Sequence, residues 1–322
     1  MKQVILERPG TLVANEAAPP VPGPGEALLR VHRIGVCGTD FHAFHGRQAF
    51  FTYPRIMGHE LGAEIVSVPP NDRGLAPGDR CTVEPYLNCG KCPPCKSGHY
   101  NNCEDIRVMG VHTDGGMREL VPVPMDHVYK SSRLSFDQLA IVEPLSIGAQ
   151  AVMRSQLKSG ELLTVVGAGP IGVAITQLAL AAGARVRVIE ASASRRARLE
   201  PLGVEVLESS DDESSDVVID ATGNPDSMAR AFARARYGGR VVWVGIVKTA
   251  VPVDDPLFHH RELTLFASRN SANHFPRIIK LIEDGVIDTS FWITHRLSLN
   301  DVPAHFEEVT EHQGLKAVVE TG

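Results

Sequence analysis

The stretch VVGAGPIG (165–172) constrains the fold of this chain more than any other part of the sequence. It joins an apolar run typical of a buried strand to a run of helical composition. Glycines in such a turn let the chain bend tightly, bring the backbone close to a ligand and allow the helix to pack on the strand. The N-terminus of the helix then favours a bound phosphate. The pattern predicts a dinucleotide site at Gly167, Gly169, Pro170, Ile171 and Gly172.

An acidic residue indicates which dinucleotide this turn accepts. Glu190 ends the next predicted strand, 18 positions after Gly172, close to the spacing at which a carboxylate holds the adenosine ribose. Because a carboxylate repels a 2′-phosphate, the sequence predicts NAD rather than NADP. Arg195 and Arg196 follow within one helical turn and could instead bind the 2′-phosphate of NADP. Residues after two later strands are expected to complete the cofactor site: Thr222, Val244 and Ile246.

Strand and helix patterns alternate from about Ser146 onward. The runs LLTVV, ARVRVI, VEVLE, DVVID and GRVVWV are separated by segments of helical composition, among them 226–235. Strands that alternate with helices predict a parallel, doubly wound sheet. The acidic tract ESSDDESSD (208–216) has low complexity and is predicted to be an exposed loop.

The first third of the chain has a different pattern. Segments 26–36, 60–68 and 117–123 have strand composition with partial period-2 alternation, and proline and glycine crowd the connections. Near the end, the sequence predicts helices at 276–283 and 301–312 and a last strand in KAVVE. The fold class is therefore α/β, with a β-rich part before the doubly wound part.

Bulk properties narrow the functional class. The 322 residues suffice for two ordinary domains, and a net charge of -6 disfavours a nucleic-acid binder, which carries a basic face. Segment 162–184 is uncharged and long enough to span a bilayer, but a Gly-Pro break divides it into a strand and a helix. The opening MKQVILERPG lacks the apolar core of a signal peptide. We expect a cytoplasmic protein with reduced thiols and no membrane partner.

Four of the six cysteines lie in one short stretch. Cys89, Cys92, Cys95 and Cys103 follow the spacing C-x2-C-x2-C-x7-C. Closely spaced thiols in a reducing compartment usually hold a metal, and zinc suits four thiolates in a tetrahedron. Four protein ligands leave no open position, so the predicted zinc is structural. Disulfides, free thiols and a zinc finger are the alternatives, although no basic recognition helix follows.

A second candidate metal centre draws on three separate segments. Cys37 lies in GVCGTDFH, His59 and Glu60 lie in GHELGAEIV, and Glu143 lies in IVEPLSIGAQ. A cysteine, a histidine and one or two carboxylates are plausible ligands of a catalytic zinc, which keeps one position open. A lone buried cysteine is more often inert core, so spacing alone leaves this open. Cys81 has no such neighbours and is expected in the core.

Together and in this order, GHE, the four-cysteine stretch, the EP element and GAGPIG resemble the zinc-dependent medium-chain dehydrogenase/reductase family over nearly the whole chain. Within the family, the chain is most similar to polyol and sugar-acid dehydrogenases. The resemblance implies a GroES-like catalytic domain at 1–145 with a structural-zinc lobe near 85–105. It further implies a Rossmann domain at 146–267, a C-terminal catalytic segment at 268–322, and assembly as a homodimer or homotetramer.

The resemblance also implies a role for each residue of the second centre, and so two zinc ions per chain. Cys37, His59 and Glu60 match the catalytic zinc ligands. Glu143 matches a carboxylate that holds the zinc water or binds the metal directly.

The implied reaction is the reversible oxidation of a secondary alcohol of a polyol or sugar acid to a ketone, with hydride transfer to NAD. Thr39 and His42 match the hydroxyl and imidazole of a proton relay. Arg269, in the crossing FASRNS, matches a basic residue that faces a polyhydroxy substrate. A dehydrogenase for a simpler alcohol or a phosphorylated polyol, and a non-catalytic NAD-sensing zinc protein, remain alternatives.

The chain departs from the family pattern at 208–216. Family members normally have a longer segment there, including a helix. The resemblance therefore predicts an exposed edge of the Rossmann sheet, with cofactor binding preserved because the glycine turn and Glu190 lie elsewhere.

Overall fold

The computed structural model describes residues 1–210, 214–311 and 314–322. The chain forms two compact units, of which the first comprises Met1–Glu143 and Phe275–Gly322 and the second Pro144–His274. The predicted acidic loop includes residues 211–213, and the predicted helix at 301–312 includes residue 312. These positions lie outside the described residues.

The described residues form strands and helices that we number along the chain. The strands are β1 (Lys2–Arg8), β2 (Thr11–Glu16), β3 (Glu26–Gly35), β4 (Glu60–Ser67), β5 (Arg80–Val83), β6 (Tyr86–Leu87), β7 (Arg107–Val108), β8 (Leu120–Pro124), β9 (Val128–Lys130), β10 (Leu162–Val166), β11 (Arg185–Ile189), β12 (Glu205–Leu207), β13 (Ser215–Asp220), β14 (Ala235–Trp243), β15 (Thr264–Ala267), β16 (Ile293–Ser298) and β17 (Lys316–Glu320). The helices are α1 (Gly38–Phe44), α2 (Pro93–Lys96), α3 (Phe136–Arg154), α4 (Pro170–Ala181), α5 (Ala193–Ala197), α6 (Pro225–Arg234), α7 (Asp255–His260), α8 (Phe275–Glu283) and α9 (Val302–Glu311).

A largely antiparallel sheet organises the first unit. Its strand order is β16-β17-β3-β4-β5-β9, with β8 paired to β3. Alternate residues of β3, including Leu29 and Val31, are buried, which is the period-2 pattern of a sheet with one face on a core. The register pairs Gly35 at the end of β3 with Glu60 at the start of β4. This pairing places the residues that follow β3 beside those that precede β4.

The second unit is a doubly wound parallel sheet. Its strand order is β12-β11-β10-β13-β14-β15, so the order reverses between β10 and β13. On one face, Phe232 of α6 belongs to a buried apolar cluster that includes Val166, Ile189 and Val218. The predicted α/β fold class is confirmed.

The edge of this sheet has a polar character. β12 ends at Leu207 and β13 begins at Ser215, so the connection between them is short. Arg187 and Glu205 are register partners on adjacent strands and form an ion pair at 2.8 Å. The Glu205 side chain is 53% exposed. An ion pair with an exposed carboxylate therefore lies at the sheet edge that was predicted to be exposed.

The long helix α3 is not anticipated by the sequence analysis. Pro144 lies inside it, although a proline in a helix interior removes one backbone hydrogen bond and usually ends the helix. Neighbouring residues of the helix, including Ile141, Val142 and Leu145, are almost fully buried. Burial of this apolar run therefore outweighs the local cost of the proline. Among the described residues, no helix combines the length and apolarity needed to cross a membrane.

Candidate active site

The pairing of β3 with β4 brings three predicted metal ligands together. Cys37 lies just beyond β3, His59 directly precedes β4, and Glu60 is the first residue of β4. Their ligand atoms all lie within 4.8 Å of one another. His59 and Glu60 are buried, and Cys37 is half-buried. One thiolate, one imidazole and one carboxylate form a donor set that suits zinc and leaves room for a further ligand.

His59 lies between Cys37 and Asp40. Its side chain hydrogen-bonds Cys37, and its Nδ1 lies 3.9 Å from Oδ1 of Asp40. Burial alone would lower the pKa of His59, but Cys37 and Asp40 raise it well above its ordinary value. Asp40 also accepts a hydrogen bond from the N–H of Cys37 at 2.9 Å. A carboxylate behind a ligating histidine is the usual support of a metal site, so the surroundings of His59 fit a bound metal.

A buried cation, Lys316, meets the third candidate ligand. Its Nζ donates to both Oε1 and Oε2 of Glu60 at 2.7 Å and to the carbonyl of Val36 at 3.2 Å. Both side chains of the ion pair are almost fully buried. Gly35 makes room for them, because a Cβ there would lie 2.0 Å from Oε2 of Glu60. A carboxylate has further lone pairs, so this pairing still leaves Glu60 able to bind a metal.

We expect Lys316→Met to lower the free energy of unfolding by about 3–5 kcal/mol, because it removes the buried cation that donates to both carboxylate oxygens of Glu60. Equilibrium urea denaturation of the zinc-loaded protein measures this. Lys280→Met is the matched control, since it breaks only the exposed ion pair of Lys280 with Asp284. That change should cost less than about 1 kcal/mol. A similar small loss in Lys316→Met would contradict the prediction.

Glu143 lies beside the three-ligand group rather than within it. Its Oε1 accepts a hydrogen bond from the hydroxyl of Tyr86. Burial raises the pKa of Glu143 to about 7, although His59 acts in the opposite direction. Burial, with the help of Glu143, raises the pKa of Tyr86 well above its ordinary value. Tyr86 was not among the predicted site residues, because its position in EPYLNC gives no sign of this contact.

The two predicted relay residues lie on one helix. Thr39 and His42 are three positions apart on α1, so their side chains lie on the same face. Thr39 is half-buried and His42 is exposed. The helix that Cys37 caps therefore presents a half-buried hydroxyl and an exposed imidazole.

The four-cysteine stretch forms the second candidate metal centre. The sulfur atoms of Cys89, Cys92, Cys95 and Cys103 all lie within 4.8 Å of one another, and all six cysteines of the chain are free thiols. The Sγ atoms of Cys92 and Cys103 are 3.8 Å apart. Sulfurs bound to one tetrahedral zinc at about 2.3 Å would lie about 3.8 Å from each other, so the cluster fits zinc. The disulfide alternative is wrong.

Backbone N–H groups donate hydrogen bonds to the sulfur atoms of this cluster. The N–H groups of Lys91 and Cys92 lower the pKa of Cys89 to about 7. The N–H of Cys89 donates to Sγ of Cys103 at 3.3 Å. Such donors stabilise thiolates, which are the form that binds zinc.

The glycine turn lies between β10 and α4, as the sequence predicts. Gly167 has a φ of 96°, and a Cβ on Gly172 would lie 1.8 Å from the carbonyl oxygen of Gly167. The carboxylate of Glu190 accepts hydrogen bonds from the N–H groups of Ala168 and Ser192, both at 2.8 Å. Glu190 thus supports the turn itself and still has lone pairs for ribose hydroxyls.

The other predicted ligand-binding residues of the second unit are placed as follows. Arg196 donates to the carbonyls of Glu190 and Ala191 at 2.9 and 2.6 Å, whereas Arg195 is exposed. Thr222 follows the end of β13. Val244 and Ile246 follow β14, and Arg269 follows β15 as an exposed residue.

Two family models match the chain. The model "Alcohol dehydrogenase GroES-like domain" matches residues 23–133, and the model "Zinc-binding dehydrogenase" matches residues 170–284. L-Galactonate-5-dehydrogenase of Escherichia coli K12 is 38% identical over 335 aligned positions, which cover 99% of this chain and 98% of the relative.

Solved structures of similar proteins extend this comparison. The alcohol dehydrogenase RspB of Escherichia coli CFT073, complexed with NADH, has a TM-score of 0.94 and 28% identity, with 100% of this chain and 99% of that chain covered. A zinc-binding dehydrogenase of Sinorhizobium meliloti 1021, bound to NADP, has a TM-score of 0.93 and 30% identity, with 99% of each chain covered.

The GroES-like fold, the doubly wound sheet and the metal-capable groups define an oxidoreductase that uses zinc and a nicotinamide dinucleotide. The chain belongs to the zinc-dependent medium-chain dehydrogenase/reductase family. The family and the enzyme class predicted from the sequence are confirmed. The roles of the individual site residues stay predictions.

Proposed function

We propose that this protein reversibly oxidises a secondary alcohol of a sugar acid or polyol to a ketone, with NAD as the hydride acceptor. The close grouping of Cys37, His59 and Glu60 carries this proposal, because it supplies a ligand set with an open position for a substrate. The similarity to L-galactonate-5-dehydrogenase supports a sugar acid as the substrate class. A phosphorylated polyol or a simpler alcohol is the alternative.

The proposed site contains two zinc ions per chain, one in each ligand group. When bound, the catalytic zinc supplies a Lewis acid that lowers the pKa of an alcohol. Cys37, His59 and Glu60 hold it, while Asp40 and Lys316 orient His59 and Glu60.

Protein side chains then carry the proton released from the substrate. Thr39 would accept the hydroxyl proton and His42 would take it on in turn. Because His42 is exposed, it can release the proton to solvent.

We assign catalysis to residues 1–145 and 268–322, with the structural zinc near 85–105, and cofactor binding to residues 146–267. We further propose that the protein acts in the cytoplasm as a homodimer or homotetramer. Light scattering that shows only monomers at micromolar concentration would contradict the assembly.

Initial rates on a panel of aldonates, polyols and simple alcohols, each with NAD and with NADP, test the proposed function. We expect the highest kcat/KM with NAD and a sugar acid or polyol. Turnover restricted to simple alcohols would overturn the substrate class, and no turnover with any pair would overturn the enzyme assignment.

Glu190→Ser should raise the KM for NAD roughly tenfold, because it removes about 1.5 kcal/mol of hydrogen bonding to a charged group, and should improve the use of NADP. The measurement is kcat/KM with each cofactor. Glu200→Ser is the matched control, since Glu200 is an exposed carboxylate after α5. A wild-type enzyme that already prefers NADP would show that Arg195 or Arg196 outweighs Glu190.

Arg269 is the proposed contact for an anionic substrate, because a guanidinium can bind a carboxylate through two hydrogen bonds. Arg269→Ala should raise the KM for sugar acids by the equivalent of about 1.5–3 kcal/mol and should affect neutral polyols much less. Arg230→Ala, which removes another exposed arginine of the second unit, is the control. Equal losses on both substrate types would show that Arg269 has only a general role.

A further inference from the structure

A buried carboxylate lies where the strand order of the second unit reverses. Asp220 is the last residue of β13, and its exposure is 0%. Its register partners are Val166 of β10, which directly precedes Gly167, and Trp243 of β14. Ligands of open parallel sheets bind beyond the carboxyl ends of the strands at this reversal point. Asp220 therefore lies directly behind the predicted dinucleotide crevice.

The turn after β13 is hydrogen-bonded to this carboxylate. Oδ1 accepts from the N–H of Thr222 at 2.9 Å and from its hydroxyl at 2.6 Å. Oδ2 accepts from the hydroxyl of Ser227, in the first turn of α6, at 2.6 Å. Oγ1 of Thr222 in turn accepts from the N–H of Asn224 at 3.0 Å. The carboxylate is thus the centre of a network that fixes the chain from 222 to 227.

The turn fixed in this way lies against two glycines. A Cβ at Gly167 would lie 3.1 Å from Cγ2 of Thr222, and a Cβ at Gly245 would lie 2.4 Å from Cα of Gly223. Thr222 and Gly223 are exposed, whereas Asp220 is not. The turn, rather than the carboxylate, is therefore the part that a ligand in the crevice can touch.

We infer that Asp220 is a positioning residue for the dinucleotide, since it holds Thr222 and Gly223 against the glycine turn before the cofactor binds. This inference rests on the proposed cofactor site and adds a residue that does not contact the cofactor. Without the carboxylate, the N–H and hydroxyl of Thr222 lose their acceptor and the turn can relax. Binding must then order the turn again, which weakens affinity for the dinucleotide.

Titration of the zinc-loaded protein with NADH, followed by nicotinamide fluorescence, tests this inference. Asp220→Ala should raise the Kd for NADH at least about tenfold and the KM for NAD in parallel. Because the chemical step is untouched, kcat at saturating NAD should stay within about threefold of wild type. Asp220→Asn keeps an acceptor for Thr222 and should bind NADH within about threefold of wild type.

Asp216 provides a matched control at the other end of β13. It accepts from the N–H of Leu162 at 2.8 Å and pairs with Arg236, so Asp216→Ala should leave the Kd for NADH unchanged. If Asp220→Ala does not fold, Thr222→Val removes the hydroxyl bond alone and should still raise the Kd severalfold.

Two results would overturn the inference alone. The first is a wild-type Kd for NADH in Asp220→Ala, or in Thr222→Val if Asp220→Ala does not fold. The second is a loss of affinity in Asp216→Ala equal to that in Asp220→Ala. Failure of the wild-type protein to bind either NADH or NADPH would instead overturn the proposed function, and the inference with it.

Discussion

Cys37→Ser is expected to give a folded protein with almost no dehydrogenase activity. The substitution removes the thiolate ligand of the proposed catalytic zinc. Cys37 is the N-cap residue of the short helix α1 and lies outside the four-cysteine group. Loss of the Lewis acid should lower kcat/KM by at least about 10⁴-fold, or roughly 5 kcal/mol of transition-state stabilisation. Elemental analysis should show one zinc per chain instead of the proposed two.

Cys81→Ser is the matched control for this experiment. Cys81 is fully buried in the core of the first unit, and burial raises the pKa of its thiol. Cys81→Ser makes the same replacement of sulfur by oxygen, but Cys81 belongs to neither group of zinc ligands. Activity and zinc content should therefore be retained. Substantial activity in Cys37→Ser would show that catalysis does not depend on this thiolate.

Cys95→Ser is expected to damage folding rather than chemistry. Structural zinc sites in small peptides bind zinc with apparent free energies of about 10–16 kcal/mol, and this binding free energy also stabilises the folded state. The cysteine segment has little else to order it, because its own buried cluster consists of the cysteines with Ile106 packed against them. We expect a large loss of soluble protein and a lower melting temperature in whatever remains.

The comparison with Cys37→Ser separates the two zinc sites. Soluble yield and melting temperature should stay near wild type in Cys37→Ser and fall in Cys95→Ser. A Cys95→Ser protein with wild-type yield and melting temperature would contradict the structural role of this cluster.

Local patterns in the sequence were sufficient for much of the fold and part of the site. The glycine turn predicts the junction of β10 and α4 because strand, turn and helix adjoin one another in the chain. The cysteine spacing predicts the four-sulfur group for the same reason, since the ligands lie within one short loop. The position of Glu190 at the end of β11 follows from a fixed spacing after the turn.

Contacts between distant segments could not be predicted in this way. Lys316 meets Glu60 across 256 positions of sequence, and Tyr86 meets Glu143 across 57. Only the order of strands in the sheet, with β17 beside β3 and β3 beside β4, brings Lys316 to the metal ligands. The contact of Asp40 with Cys37 could have been predicted, because its spacing from Cys37 is that of a capping carboxylate at the start of a helix.

The helix α3 illustrates a different limit. No helix was predicted at 136–154, and Pro144 within this segment is a local signal that usually ends a helix. The burial that stabilises the helix depends on the surrounding structure, which local composition does not show.

The proposed zinc-dependent mechanism is tested most directly by the zinc content of the fully active wild-type enzyme, measured together with its rate of NAD reduction on the best substrate of the panel. We predict two zinc ions per chain, with activity lost when the ion at Cys37, His59 and Glu60 is removed and restored when zinc is returned. One zinc per chain in fully active protein, or full activity after that ion has been removed, would contradict this prediction.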